Sequence, residues 1–505
     1  MTTHRLFHGA IITPVTVHKA EFWPKALLYV NPKGTIEWVV SDVEPSEIQR
    51  VALEKGLVVD DSIDIYELHH GEWLMPGFID THTHAPQFPN IGIGGQYELL
   101  DWLNNVTFPT ESRFADTKFA ERVYSSVVDR VLNSGTTTCC YYGSLHLEAT
   151  EVLAQIVHTK GQRAFVGKCN MNRNSGSYQE DSTTQSIEST KKLISSIRAL
   201  SPNSAPLVHP ILTPRFAISC TPDLLNALGD LAKQDPTLAI QTHISENLGE
   251  MDFTRELFPE ASTYTDVYKR AGLLTDRTIL AHAIHLSNDE MEVIKCCGSG
   301  ISHCPTSNFY LNSGVARVGE MLDRGLKVGL GTDCSGGFSP SILTAIRDAG
   351  FASKVMGMTA VGSLPSPYVK PHMNGVKTFD GSDKPKLANK TLPLSALLHL
   401  ATLGGAQLCN LEQTIGSLEA GKEFDAVLVS VRPEAGNAGI WANLVQGSES
   451  EGNKCRLIRS RRYWRNSSFV ARSQRTQGLG ARSTSRRSRQ VTGTRLYLIY
   501  SIPNS

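Results

Sequence analysis

The fold is first indicated by residues 74–84, which read LMPGFIDTHTH. The stretch begins as an apolar run, typical of a strand that is buried on both faces, and it ends in two histidines separated by one threonine. Because side chains alternate along a strand, His82 and His84 point to the same face and can ligate one metal ion. An HxH pair also occurs by chance, so the pair alone is equally compatible with a structural role.

The same pattern of an apolar run followed by polar or glycine-rich residues recurs along the chain, and stretches with helical spacing lie between the runs. Eight alternating strand and helix units predict a (β/α)8 barrel of the TIM type, although an open doubly wound sheet shares the pattern. The seven further runs are GTTTCCYYGSLH (135–146), RAFVGKCN (163–170), PLVHPILTPRF (206–216), LAIQTHISEN (238–247), TILAHAIHL (278–286), GISHCPTSN (300–308) and KVGLGTDCSGG (327–337).

The positions of the chemically active residues favour the barrel. His, Asp, Glu and Arg occur where the first, fourth, fifth, sixth and eighth predicted strands end, among them His243, Glu246, His282 and Asp333. In a barrel these carboxyl ends converge on one rim. Three imidazoles and one carboxylate there would suit Zn²⁺, with Fe²⁺ chemically acceptable, and a bound metal makes hydroxide available near neutral pH.

Composition divides the chain into a body and a tail. Residues 451–505 hold thirteen basic residues and one acid, which leaves 36 basic residues against 48 acids in residues 1–450. Short strand patterns in 1–72 and 406–450 predict one discontinuous small β domain that flanks a barrel at 73–405. The Arg- and Ser-rich tail at 451–505 is either a basic nucleic-acid-binding or targeting arm, or a non-native segment from a shifted frame or retained intron. We favour the second interpretation, and expect disorder in both.

The remaining composition is that of a soluble protein with 40% hydrophobic and 19% charged residues. No apolar run approaches the roughly 18 residues of a membrane helix, and the N-terminus lacks a signal-peptide pattern. The ten cysteines form no CxxC pair and suit reduced, packed thiols. We therefore expect a cytoplasmic protein whose body binds neither membrane nor nucleic acid.

The motifs resemble a known group of enzymes. PGFIDTHTHAPQ (76–87), TPRF (213–216), THISEN (242–247), LAHAIHLS (280–287), SHCPTSN (302–308), GLGTDCSGG (329–337) and IGSLEAGKEFDAVLV (415–429) together resemble the amidohydrolase superfamily and, within it, the guanine deaminase family. The resemblance covers about residues 5 to 450. It implies hydrolytic deamination of guanine to xanthine and ammonia in purine catabolism, with a single Zn²⁺ or Fe²⁺ per chain and a homodimeric assembly.

The resemblance also assigns roles to individual residues. It implies metal ligation by His82, His84, His243 and Asp333. Glu246 resembles the general acid/base, His282 the partner that orients the attacking hydroxide, and Asp333 the first proton acceptor. The implied contacts to a purine substrate come from Gln87, Arg215, Phe216, His243, Glu246 and Asp333.

Several alternatives stay open. Glu246 could be a helix-capping carboxylate, Arg215 part of a rim salt bridge, and Phe216 mere packing. A carboxylated lysine could bridge two metals, but the candidate Lys168 lies at the third strand rather than the fourth, so we expect one metal. Another purine, a pterin or a triazine-like ring could be the substrate, or the chain could be a non-catalytic scaffold. A cytidine-deaminase-like site is disfavoured because the PCxxC motif is absent.

Structural roles are also expected for several further histidines. His285 and His303 are expected to be hydrogen-bonded structural residues, and His69 and His70 to be solvated.

Overall fold

The computed structural model describes residues 3–202, 205–360, 386–431 and 495–500. Within these residues the strands form two separate sheets, one mainly antiparallel and one entirely parallel. The strands of the mainly antiparallel sheet are β1 (His4–Thr16), β2 (Lys19–Val30), β3 (Ile36–Val40), β4 (Ile63–Glu67), β5 (Glu72–Pro76), β14 (Asp425–Ser430) and β15 (Arg495–Tyr500). Their order in the sheet is β15-β14-β5-β1-β2-β3, with β4 beside β1.

The parallel sheet has eight strands whose spatial order follows the chain, so each strand pairs with the next. These strands are β6 (Phe78–His84), β7 (Thr136–Tyr142), β8 (Arg163–Gly167), β9 (Val208–Leu212), β10 (Ala239–Ile244), β11 (Thr278–His282), β12 (Gly300–His303) and β13 (Lys327–Leu330). Each lies within one of the eight predicted runs. The sheet is a nearly closed barrel, and the predicted fold, a (β/α)8 barrel with a small β domain built from both ends of the chain, is confirmed.

Helices surround the barrel strands, and one helix, Ile48–Glu54, packs against the small sheet. Those of the described residues are α1 (Ile48–Glu54), α2 (Leu99–Trp102), α3 (Phe108–Glu111), α4 (Thr117–Asn133), α5 (Leu147–Lys160), α6 (Thr183–Arg198), α7 (Pro222–Gln234), α8 (Leu248–Leu257), α9 (Tyr264–Arg270), α10 (Asn288–Cys296), α11 (Pro305–Tyr310), α12 (Val318–Asp323), α13 (Ile342–Ala360), α14 (Leu394–Ala401) and α15 (Leu403–Leu408). A π-helical turn at Leu103–Thr107 joins α2 to α3. Short 3-10 turns lie at Pro45–Glu47, Ala85–Asn90, Ser112–Ala115 and Ala217–Ser219.

Helix α7 shows why these segments are helical and pack on the barrel. Thr221 caps its N-terminus by accepting the backbone N–H of Leu224, and Pro222 occupies the first turn, where its missing N–H costs nothing. Leu224 and Leu228 recur at helical spacing and are fully buried. Gly229 lets the helix approach the C-terminal end of α9 so closely that an added Cβ would lie 1.7 Å from the Ala271 carbonyl oxygen.

The carboxyl end of the first barrel strand is joined by backbone hydrogen bonds to the segment that follows the last strand. The N–H of Asp333 donates to the carbonyl of His82 at 2.8 Å, and the N–H of His84 donates to the carbonyl of Cys334 at 3.1 Å. This closure places the segment that follows β13 beside the two histidines that end β6. The rim of the barrel is thereby assembled at the point where the sequence concentrates its polar residues.

The small sheet joins distant parts of the chain. Strand β14 pairs antiparallel with β5 on one side and with β15 on the other. Residues 495–500 therefore form a strand, although they belong to the segment for which disorder was expected; the rest of 451–505 lies outside the described residues. None of the described helices has the length and apolar character needed to cross a membrane.

Candidate active site

Four side chains from three separate parts of the barrel converge at its carboxyl rim. His82 and His84 come from the end of β6, His243 from β10, and Asp333 from the segment directly after β13. One ligand atom of each lies within 4.8 Å of those of the others, and all four residues are buried. The parallel register explains the convergence, since every one of these residues stands at or just beyond a strand's carboxyl end.

The candidate ligand atoms of this cluster lie close to one another. The Nε2 atoms of His84 and His243 are 3.1 Å apart. Oδ1 of Asp333 lies 3.1 Å from Nε2 of His82 and 3.4 Å from Nε2 of His84. Nδ1 and Nε2 of His82 have no hydrogen-bond partner among the described residues. A shared cation satisfies such a set of buried lone pairs, so the residues fit a metal ion.

The protonation state of the histidines also fits a metal. Nδ1 of His243 lies 2.5 Å from the carbonyl oxygen of Arg215, so it carries the proton and leaves the Nε2 lone pair free. Burial lowers the pKa of His82, and it lowers the pKa values of His84 and His243 well below the ordinary value. Neutral imidazole is the form that ligates metal, and three of them with a carboxylate make a nitrogen and oxygen site of the kind zinc prefers.

Asp333 stays ionised although it is buried. Burial raises its pKa, but the close imidazoles of His82, His282 and His84 outweigh that effect and hold the pKa below its usual range. Asp80 supports the segment that carries it, since its carboxylate accepts the hydroxyl of Thr332 at 2.5 Å and the N–H of Thr332 at 3.0 Å. Asp80 is a residue that the sequence argument missed, because an acid inside a strand pattern carries no signal of such a role.

Glu246 and His282 form a second layer beside the cluster. Oε2 of Glu246 lies 3.4 Å from Nε2 of His282, which in turn is 3.7 Å from Oδ2 of Asp333. Asn308 Oδ1 lies 2.9 Å from Nδ1 of His282, which fixes the ring with its Nε2 toward the two carboxyl groups. Burial raises the pKa of Glu246 well above its ordinary value, and the charge of Asp333 adds to the effect. A carboxyl group that holds its proton more firmly than usual therefore lies beside one that ionises readily, which is the combination that general acid/base chemistry requires.

The backbone is strained where these side chains turn into the rim. Positive φ angles occur at Ser245 (48°), His282 (69°), Ala283 (51°) and Asp333 (43°), none of which is glycine. Such conformations persist only where the surrounding structure enforces them, and they concentrate at functional sites.

A cavity of about 310 Å³ opens onto the cluster. Gln87, Arg215 and Phe216 line it together with His243, Glu246 and Asp333, so all six residues predicted to contact the purine lie on this one cavity. Phe216 is buried, with its ring centre 5.8 Å from that of His243.

The cavity has further walls that the sequence argument missed. They are contributed by Leu99, Trp102, Leu103 and Leu311. The first three belong to the long segment between β6 and α4. The length of this segment could have indicated their role, since loops at the carboxyl end of a barrel build the active site.

The remaining candidates lie elsewhere. Lys168 is buried and pairs with Glu180 at 2.5 Å. Nε2 of His285 lies 2.9 Å from the carbonyl oxygen of Ser313, and His303 is buried. His69 and His70 are exposed. The Lys168 ammonium group already has a buried carboxylate partner, so it is not placed to be carboxylated and to bridge two metals. This pairing supports the expectation of one metal.

Comparison with known proteins agrees with this geometry. Residues 73–370 and 372–453 match the amidohydrolase family. The chain is 42% identical over 431 residues to guanine deaminase of Dictyostelium discoideum, covering 84% of this chain and 88% of that one. It is 40% identical to guanine deaminase of Mus musculus, covering 85% and 86%.

A solved structure gives the same result. Guanine deaminase from C. acetobutylicum, crystallised with guanine in its active site, superposes with a TM-score of 0.70 at 31% identity, covering 84% of this chain and 90% of that one. This chain therefore belongs to the amidohydrolase family and, within it, to the guanine deaminases.

Proposed function

We propose that the chain catalyses the hydrolytic deamination of guanine to xanthine and ammonia. One observation carries the proposal: a single cavity is lined both by members of the buried cluster and by Gln87, Arg215 and Phe216. The family membership supports the same activity. The family is metal-dependent, and we propose one Zn²⁺ per chain, held by His82, His84, His243 and Asp333, with Fe²⁺ as the alternative that this donor set accepts.

The bound metal would supply activated water, by lowering its pKa toward neutrality. Asp333 accepts the first proton from the attacking water, since it is the ionised carboxylate of the site. His282 holds the attacking oxygen toward the ring carbon that bears the amino group, with its orientation set by Asn308. These roles are supported by the 3.7 Å separation of His282 Nε2 and Asp333 Oδ2.

Glu246 moves the remaining protons. In its protonated form it donates to the ring nitrogen beside the carbon under attack, and it then carries a proton from the added oxygen to the amino group. The carbon–nitrogen bond breaks, ammonia leaves, and a carbonyl forms on the ring, so that guanine and water become xanthine and ammonia. The proton that Asp333 accepted then passes to Glu246, which returns both carboxyl groups to their starting states. The raised pKa of Glu246 supports this role, because an acid of ordinary pKa would hold no proton near neutral pH.

Substrate recognition falls to the other wall of the cavity. Arg215 donates to the carbonyl oxygen of the purine ring, Gln87 offers both a donor and an acceptor, and Phe216 lines the pocket beside the ring. Discrimination against adenine follows, since adenine carries an amino donor where guanine has that oxygen.

The test is an ammonia-release assay on guanine beside 8-oxoguanine, adenine and cytosine, together with metal analysis of the purified protein. We expect guanine to be preferred and about one metal ion per chain. A scaffold protein would bind no metal and release no ammonia. A preference for a different ring would show that the chain is a deaminase of another substrate.

We also propose the following organisation for the protein. A small β domain is formed by 1–72 and 406–450, the barrel spans 73–405, and the basic segment 451–505 is appended to them. The strand bounds support the division with two differences: β5 (Glu72–Pro76) extends the small domain by a few residues, and β15 (Arg495–Tyr500), which belongs to the basic segment, adds a strand to its sheet. We also propose that the protein is a homodimer and that it is located in the cytoplasm. Light scattering tests the oligomeric state, and cell fractionation tests the location.

A further inference from the structure

Glu111 is a buried carboxylate directly behind the purine cavity. It ends α3 and has no solvent exposure. Its two oxygens accept two parallel hydrogen bonds from Arg215, at 2.8 Å from Nη1 to Oε2 and 3.0 Å from Nη2 to Oε1. This fork-to-fork arrangement is the strongest and most directional pairing that a guanidinium group makes.

The same carboxylate also holds the second purine contact. Oε1 of Glu111 accepts a hydrogen bond from Nε2 of Gln87 at 2.8 Å. The amide oxygen of Gln87 accepts the N–H of Ser335 at 3.3 Å, so both ends of the amide are fixed. Glu111 therefore orients two side chains that line the cavity, although it does not line the cavity itself.

The surroundings make Glu111 important for charge as well as for geometry. Arg215 is 2% exposed, and its guanidinium carbon lies 5.4 Å from the ring centre of Phe108, so water cannot compensate its charge. A buried cation without its partner is strongly unfavourable, and it attracts anions. With Glu111 in place the pair is neutral, and the Arg215 N–H groups that Glu111 does not occupy act as directional donors rather than as an uncompensated charge.

We infer that Glu111 is a positioning residue for purine recognition, which fixes Arg215 and Gln87 and tunes the cavity for a neutral purine base over an anionic one. The inference rests on the proposed function, since it concerns the recognition of guanine. Xanthine and urate are more acidic than guanine and serve as anionic probes. Loss of the Glu111 charge shifts the preference of the cavity toward these anions.

The test compares Glu111→Gln with a matched control. Glu180→Gln alters another buried carboxylate, whose cationic partner is Lys168 and whose second oxygen accepts the N–H of Met171 at 3.1 Å. Urate binding to the metal-loaded protein is measured by calorimetry, and KM and kcat are measured by ammonia release. Guanine binding is measured by calorimetry in a Glu246→Gln background, so that guanine is not consumed during the titration. Metal content is measured on every sample.

We expect Glu111→Gln to weaken guanine binding and raise KM by about 10- to 100-fold, with a much smaller change in kcat, because a charge-assisted contact is lost from recognition rather than from the proton relay. Urate binding should strengthen relative to guanine. Metal content should stay at the wild-type level. Glu180→Gln should lower the melting temperature without changing KM or the guanine-to-urate ratio.

Glu111→Asp keeps the charge but withdraws it by one methylene, so it should fold, preserve the guanine-to-urate ratio and raise KM less than Glu111→Gln. If Glu111→Gln does not fold, Glu111→Asp decides: an unchanged KM overturns the inference. Guanine affinity within twofold of wild type in Glu111→Gln, or an equal loss in Glu180→Gln, overturns it as well. A wild-type protein that binds guanine without releasing ammonia overturns only the proposed function, and one that binds no guanine overturns both.

Discussion

Replacing Glu246 with glutamine separates the proton relay from metal binding. Glutamine has the shape of a protonated glutamate, which is the form that burial favours at this position. Its oxygen can still accept the hydroxyl of Ser313, which lies 3.4 Å from Oε1 of Glu246. Because Glu246 is not one of the four clustered ligands, metal content and stability should stay close to those of the wild type.

The expected loss is in turnover. A positioned acid/base group contributes roughly 10²–10⁴-fold to the rate, which corresponds to about 3–5 kcal/mol in the activation free energy. The adjacent His282 cannot substitute, because Nδ1 is engaged with Asn308 and Nε2 faces the carboxyl groups. We therefore expect kcat for ammonia release from guanine to fall by that factor while guanine still binds.

The assay is ammonia release at saturating guanine, with metal analysis of the same preparation. Asp333→Asn serves as the comparison, since it should lose metal as well as turnover. If Glu246→Gln keeps more than about a tenth of the wild-type kcat, the relay role is wrong. If it loses its metal, Glu246 belongs to the metal site instead.

Four further outcomes follow from the structure. His243→Ala should lose the metal, checked by metal analysis with circular dichroism for the fold. Arg215→Ala should raise KM for guanine and lower the free energy of unfolding by about 3–5 kcal/mol, because it leaves the buried charge of Glu111 unpaired. It should keep its metal, and loss of metal would contradict the assigned geometry. Gly229→Ala should destabilise the protein by about 1–3 kcal/mol or more. Gly350→Ala is the control, since its added Cβ would lie 3.6 Å from the nearest neighbour and should not destabilise the protein. Equal melting temperatures for the two variants would refute the close approach at Gly229. Burial raises the pKa of Asp425 from 3.8 to about 6, so the wild type loses folding stability as the pH rises from about 3.8 through 6, by about 3 kcal/mol at most. Asp425→Asn removes this ionisation, so denaturant titrations should find it more stable than the wild type at pH 7 and less dependent on pH.

The sequence predicted the barrel because its signals are local. Apolar runs such as LMPGFIDTHTH are buried in any arrangement of parallel strands, and the polar residues that follow them converge by topology. His82 and Asp333 could therefore be assigned to one rim although 250 residues separate them along the chain.

Glu111 could not be predicted in the same way. In FPTESRF it resembles an ordinary surface acid, and only its contact with Arg215, 104 residues away, shows that it is buried and paired. Trp102 was missed for a related reason, since its indole looks like core packing until the fold places it in the cavity wall. Asp80 is likewise defined by Thr332, on the other side of the barrel closure. Roles that depend on a partner far along the chain leave no trace in a single local pattern.

The pairing of β5 with β14 has a consequence for synthesis on the ribosome. Met75 pairs with Val427, about 350 residues later, so one edge of β5 has no native partner until nearly the whole barrel has emerged. At about 5–20 residues per second that interval lasts roughly 20–70 s. An open strand edge invites pairing with other nascent chains during this time. The yield of correctly folded protein should therefore depend on chaperones and on translation speed through the barrel more than on the final stability of the small sheet.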